Sequence, residues 1–216
     1  MLNQHLILDD RDSAMSPTRG WYGSLAVSEA GGIVFGDYNF IRTQAELRSY
    51  RSVPSIARWN PKLVIAARVG GGIIAPYGTG AKASVPFAER LYLGGGTTVR
   101  GWGANRLGPS VTTTDVPTQT AIVVPAGGLF DSFGNFELRK VVGLGISVAT
   151  FTDVGRVWPS LADASLAGLQ WSVGGGLRYA TAIGPIRLDV GVRLGNPPEF
   201  ADQPRWALHF GLAEAF

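Results

Sequence analysis

Residues 182–194, AIGPIRLDVGVRL, follow a tight-turn signal with strict alternation: Ile186, Leu188, Val190, Val192 and Leu194 take one parity, and Arg187, Asp189, Gly191 and Arg193 the other. Successive side chains of a strand point to opposite faces, so the stretch reads as a strand with one apolar and one charged face. The pattern continues on both sides. Downstream, Trp206, Leu208, Phe210, Leu212 and Phe216 oppose Ala207, His209, Gly211, Ala213 and Ala215. Upstream, Leu169, Trp171, Val173, Leu177 and Tyr179 oppose Gln170, Ser172, Gly174, Gly176 and Arg178. Leu144, Ile146, Val148 and Thr150 oppose Ser147, Ala149, Phe151 and Asp153, and within 130–142 Phe136 and Leu138 oppose Asp131, Asn135, Glu137 and Arg139. Candidates at 2–10, 21–30, 36–51 and 62–74 bring the total to eight strands, or nine with the short first one. Pro54 and Pro61 bracket a short connection before the strand that opens at Lys62.

Composition narrows the class. With 30 Gly and 13 Pro in 216 residues the chain has too many breakers for a helical protein, and 16% charged residues is well below the roughly 25% of a soluble domain. No charge-free run approaches the roughly 20 apolar residues of a spanning helix, so a membrane would have to be crossed by strands. Residues 1–20 lack the basic start and apolar core of a signal peptide, which leaves a removed leader or a piece of a longer chain as the expectation. A net charge of +3 with dispersed basic residues gives nucleic-acid binding little support. The absence of cysteine excludes disulfides and thiolate metal sites. His5 and His209 lie far apart, and no Gly-x-Ser-x-Gly motif occurs, so no catalytic residues, metal or cofactor are expected and the chain is not expected to be an enzyme.

Alternation alone does not separate a soluble sandwich, whose charged face looks out, from a membrane barrel, whose charged face lines the lumen. Three features favour the barrel. Aromatics stand toward strand ends, at Trp21, Tyr179, Trp206 and Phe216, as an interfacial girdle requires. Ten residues rising about 3.3 Å each and tilted about 40° give roughly 25 Å, the height of the apolar band. Connections alternate between short (52–61, 141–143, 182–185) and long (75–129, 154–168, 195–205). Lys140 and Glu214 break the parity near strand ends, where a long side chain can reach headgroups. The predicted fold is all-β, an antiparallel transmembrane β-barrel.

The longest irregular region, 75–129, contains residues 89–109, ERLYLGGGTTVRGWGANRLGP. Gly94, Gly95 and Gly96 are followed by Thr97, Thr98, Val99, Arg100, Gly101, Trp102 and Gly103, and five glycines in ten residues predict a folded-back loop. A phosphate-cradling loop would need Lys followed by Ser or Thr and a helix behind it, and neither is present. A single arginine at the tip points to acidic partners elsewhere in the chain.

Together with FTDVGRVW (151–158), GGGLRYATAIGPIRLDVGVRL (174–194), LHFGLAEAF (208–216) and DDRDSAMSPTRGW (9–21), this loop resembles the C-terminal barrel half of the BamA/TamA outer-membrane assembly superfamily, the bacterial surface antigen family. The stretch RYATAIGPIRLDV resembles TamA more than BamA. The resemblance covers residues 1–216 and implies about half of a sixteen-stranded barrel without POTRA domains. It implies that the loop folds into the lumen and that Arg100, in the tip Val99-Arg100-Gly101-Trp102, pairs with Glu137 in FELRK and Asp153 in FTDVG. Trp102 stands where the family usually has Phe or Tyr. Leu208, Phe210, Leu212 and Phe216 resemble the C-terminal strand signal of outer-membrane barrels, on a strand whose imperfect closure leaves an edge for substrate strands. The implied protein is integral to the bacterial outer membrane and helps to insert or secrete β-barrel proteins such as autotransporters. Its implied partners are the lipid bilayer, substrate outer-membrane proteins, a periplasmic TamB-like protein and a second copy completing the barrel. The alternatives are a passive pore or two-partner-type secretion channel plugged by 89–109, or a structural half-barrel.

Overall fold

The computed structural model describes residues 1–32, 36–53, 63–118 and 120–216. The expected connection at Pro54 and Pro61, and the strand start at Lys62, lie outside the described residues. Eleven strands follow in order: β1 Leu2–Asp9, β2 Gly20–Ala30, β3 Phe40–Val53, β4 Leu63–Pro76, β5 Ser110–Thr114, β6 Ala121–Pro125, β7 Phe130–Gly143, β8 Ile146–Trp158, β9 Gln170–Tyr179, β10 Ile186–Arg193 and β11 Trp206–Leu212. Nine of them form one antiparallel sheet in the order β1-β2-β3-β4-β7-β8-β9-β10-β11, and β5 pairs with β6 alone. Among the described residues β1 pairs only with β2 and β11 only with β10, so the sheet has two free edges.

The sheet is curled. Laid flat, eight strand spacings of about 4.8 Å would separate β1 from β11 by roughly 38 Å. Yet the turn after β1 meets the segment after β11 through a backbone hydrogen bond, Glu214 N–H to the Met15 carbonyl, 3.1 Å. The two ends of the sheet therefore approach at this rim, and the strands wrap around a common interior.

Burial runs inside out. Asp153 and Asp189 are 0% exposed and Arg193 1%, while Phe210 is 76% and Leu208 55% exposed. Residues 186–193 alternate exposed and buried without a break, the arginines and aspartate inward and the aliphatics outward. A soluble sandwich would bury the opposite face. This assigns the apolar parity to lipid and the charged parity to the lumen.

Local chemistry accounts for the turns. Leu144 and Gly145, with φ of 53° and 75°, join β7 to β8 in the double-positive conformation that suits the twist of a two-residue hairpin. Gly20 has φ 100°, and a Cβ there would sit 2.1 Å from the Asp10 carbonyl, so the entry to β2 needs glycine. The motif in 9–21 folds around Asp12, whose carboxylate accepts from the Thr18 amide (2.8 Å), the Thr18 hydroxyl (2.5 Å) and the Arg19 amide (3.1 Å).

Five expectations need correction. The irregular region 75–129 holds the hairpin β5–β6, because Thr and Val between Pro109 and Pro125 favour strand over loop. β8 does not stop near Asp153 but continues to Trp158, and the strand expected over 36–51 begins at Phe40 and not at Gly36. Phe216 does not lie on the lipid face: β11 ends at Leu212, Ala213 takes φ 67°, and the chain turns into the lumen. There Phe216 is 4% exposed, packed with Tyr50, Ala66 and Ala215, so the aromatic girdle reduces to Trp21, Tyr179 and Trp206. Glu214 turns inward with it, toward Arg178 (2.9 Å) and Arg139 (3.5 Å), and not toward headgroups.

Candidate functional site

Residues 89–109 fold back on themselves before anything else is asked of them. Gly94 and Gly95 take φ of 104° and 103°. The Gly95 amide then donates to the Trp102 carbonyl (3.1 Å), the Leu107 amide to the Leu93 carbonyl (3.0 Å) and the Gly94 amide to the Thr98 hydroxyl (3.0 Å). Leu93, Val99, Trp102 and Leu107 turn toward Val157 of β8 and Phe200 of the 194–205 connection, forming a small buried apolar cluster. Trp102 meets Phe200 edge-on at 6.0 Å, with the Arg193 guanidinium 5.6 Å from its ring centre. This packing fixes the tip so that Arg100 faces the inner wall.

Arg100 is 1% exposed and uses every polar group it has. Its Nε and Nη2 donate to the two oxygens of Asp153, each at 2.8 Å, and its own amide donates to Asp153 Oδ2 at 3.0 Å. Its Nη1 donates to Glu137 Oε2. The guanidinium lies 3.4 Å from the ring centre of Phe151, and Asp153 Oδ1 also accepts from Asn135 Nδ2 at 2.8 Å. A planar fork of five donors matches two carboxylates on adjacent strands, and a lysine would not. Burial by itself would lower the Arg100 pKa, but Asp153 and Glu137 raise it above its ordinary value. The group stays cationic, and the arrangement holds the loop tip against β7 and β8.

The wall is shaped for the loop. Gly191 of β10 faces the tip backbone, and a Cβ there would sit 2.2 Å from the Arg100 carbonyl oxygen. Gly174 of β9 makes room for the Phe151 ring in the same way, at 2.3 Å. Around Arg100 the charges interlock: Glu137 also binds Arg139 (2.7 Å) and Arg178 (3.4 Å), and Asp189 binds Arg178 (2.5 Å) and Arg187 (2.8 Å) with Arg100 at 3.6 Å. Glu214 joins this network from the inward-turned tail.

With this geometry in view, comparison with known proteins is decisive: the description "Omp85 superfamily domain" matches residues 1–216. The chain belongs to the Omp85 superfamily. It is 29% identical over 211 residues to the outer membrane protein assembly factor BamA of Nitratidesulfovibrio vulgaris, a match covering 96% of this chain and 24% of that protein. It is 31% identical over 109 residues to the sorting and assembly machinery component 50 homologs of Bos taurus and Homo sapiens, covering 50% of this chain and 21% of theirs. This Omp85 chain thus spans about a quarter of the length of these relatives. Among solved structures, BamA from Haemophilus ducreyi lacking POTRA domains 1-3 superposes with a TM-score of 0.72 at 16% identity, covering 97% of this chain and 40% of that one, a likeness of fold. The chain is an integral outer-membrane protein, with an all-β antiparallel sheet whose apolar face meets the bilayer.

Of the residues singled out from sequence, Arg100, Glu137 and Asp153 come together, Gly94 and Gly95 make the fold-back, and Val99 and Trp102 anchor the tip. Gly96 lies against His209, where a Cβ would be 3.1 Å from the His209 Cβ, and Gly101 packs on Ser172. Leu208, Phe210 and Leu212 face outward, and Phe216 does not. Sequence reasoning missed Asn135, Phe151, Arg178, Asp189 and His209 as parts of this site. Each stands on the charged parity of its strand, but parity names a face and not a neighbour.

Proposed function

We propose that this Omp85 chain is the C-terminal part of an outer-membrane barrel that helps β-barrel proteins enter the membrane, with the 89–109 loop held in the lumen as a structural element on which that activity depends. The observation that carries the reading is the buried docking of Arg100 on Glu137 and Asp153, at the tip of a loop that spans the inner wall from β4, through Arg68 to the Thr97 carbonyl, to β11, through His209 to the Arg100 carbonyl. The related BamA and component 50 proteins are named for assembly, which supports the same reading. The free edges of β1 and β11 suit it as well, since an unpaired strand edge can accept another strand, from a substrate or from a second copy completing the barrel. Autotransporter substrates and a periplasmic TamB-like partner belong to this proposal and rest on the motif resemblance alone. No chemistry is assigned to the lumen beyond binding, so the protein is proposed not to be an enzyme.

The test is assisted folding. The chain is reconstituted in vesicles, a urea-unfolded small β-barrel protein is added, and its folded fraction is followed by the gel mobility of unboiled samples. Folding faster than in protein-free vesicles, slowed by Arg100→Ala, is expected. A substrate folding rate no greater than in protein-free vesicles overturns the proposal.

A further inference from the structure

β11 is an edge strand of the lumenal wall. Its seven residues, Trp206–Leu212, pair with β10 alone among the described residues, and its outer face is given to lipid through Trp206, Leu208, Phe210 and Leu212. A strand held by one ladder opens more readily than one held on both sides, and a grip from one face slows that opening. On its inner face Ala207 and Gly211 offer no polar group. His209 does, and its Nε2 lies 2.9 Å from the Arg100 carbonyl oxygen. A carbonyl can only accept, so the imidazole donates its Nε2–H.

The position of that carbonyl is set by the docked tip. The Arg100 side chain and amide are both committed to Asp153 on β8, and the carbonyl on the other side of the residue is pressed toward β10 where Gly191 has no Cβ. A single residue of the loop therefore grips β7 and β8 with its guanidinium and β11 with its carbonyl. Gly96, packed on the His209 Cβ, closes the contact from the other side.

We infer that His209 is a positioning residue that makes the attachment of the terminal strand depend on loop docking: with the tip seated, β11 is held along its inner face, and with the tip withdrawn it keeps its ladder to β10 and the anchored tail that follows Leu212. This goes beyond the assembly role, since it concerns which strand the loop holds, whatever that strand then does.

Hydrogen–deuterium exchange of the full chain in lipid nanodiscs tests it. In His209→Ala the amides of β11 should exchange about 2- to 10-fold faster, the range that one hydrogen bond of ordinary net strength produces, with β7 and β8 unchanged. His209→Gln, which keeps an N–H donor of similar reach, should restore most of the protection. In Arg100→Ala, β11 should exchange at least as fast as in His209→Ala, and adding His209→Ala to it should add nothing. Unchanged β11 exchange in His209→Ala overturns the inference, as does full additivity of the two substitutions. Should His209→Ala fail to fold, Arg100→Ala decides alone: β11 protected as in the wild type overturns the inference, and β11 loosened supports it. None of these readouts requires assembly activity, so a negative folding-assistance assay leaves them intact.

Discussion

Arg100 illustrates how unevenly a buried charge network distributes its cost. Removing one partner of a buried ion pair costs about 3–5 kcal/mol, because the other charge is left unpaired. Glu137 keeps Arg139 and Arg178 when the Arg100 guanidinium is lost, whereas Asp153 keeps no cation among the described residues, only the Asn135 side-chain amide and the backbone amide of residue 100. Arg100→Ala should therefore lower unfolding stability by about 3 kcal/mol, mostly through Asp153. Arg100→Ala/Asp153→Asn should recover part of that loss, since the double variant has no orphaned carboxylate there. Urea unfolding midpoints in lipid vesicles measure both, and a double variant weaker than the sum of the singles would contradict the assignment. At this scale the sequence was legible only where a motif carried it. VRGW, FELRK and FTDVG pointed to the three partners, but nothing in the local pattern around Asp189 or Arg178 marks them as neighbours of the same guanidinium.

Elements are decided by local chemistry more than by distant partners, with glycine as the exception. The alternation that located β10 also located β7, β9 and β11, because a strand between lipid and lumen needs two unlike faces along its length. β8 was cut short because Gly155 interrupts the pattern. That glycine is needed where the Phe133 Cβ and the Val99 side chain approach, each 3.0 Å from where its Cβ would be. Gly191→Ala should push the loop tip off β10, since the added Cβ would meet backbone and not a movable side chain. The expected result is a new tryptic cut after Arg100 under conditions in which the wild type resists. The turn in 10–19 offers a pH test. Burial would raise the Asp12 pKa, but hydrogen bonds from Thr18 and Arg19 outweigh it and hold the carboxyl below its ordinary 3.8. The depressed folded value means that this stabilisation is complete above the unfolded pKa and is lost as pH falls through the folded one. Corrected amide exchange at Thr18 and Arg19 should rise between about pH 5 and pH 2, and Asp12→Asn should remove the dependence.

For the whole molecule the inside-out burial makes a spectroscopic prediction. Trp21, Trp171 and Trp206 are 40%, 47% and 58% exposed on the outer face, and Trp102 of the docked loop is 1% exposed. Single-tryptophan variants in vesicles of brominated lipid should show strong quenching for the first three and little for Trp102. Quenching of Trp102 equal to that of Trp171 would place the loop at the lipid face and undo the lumenal assignment. The sequence by itself determined the strands, their two faces and the loop with its arginine, because these follow from side-chain periodicity and glycine conformation, which are local. Only the tertiary structure decided which face is buried, that the sheet curls until the turn after β1 meets the tail after β11, and that Phe216 turns inward. Those outcomes depend on what each face meets across the interior, and a linear pattern of apolar and charged residues is the same for either choice.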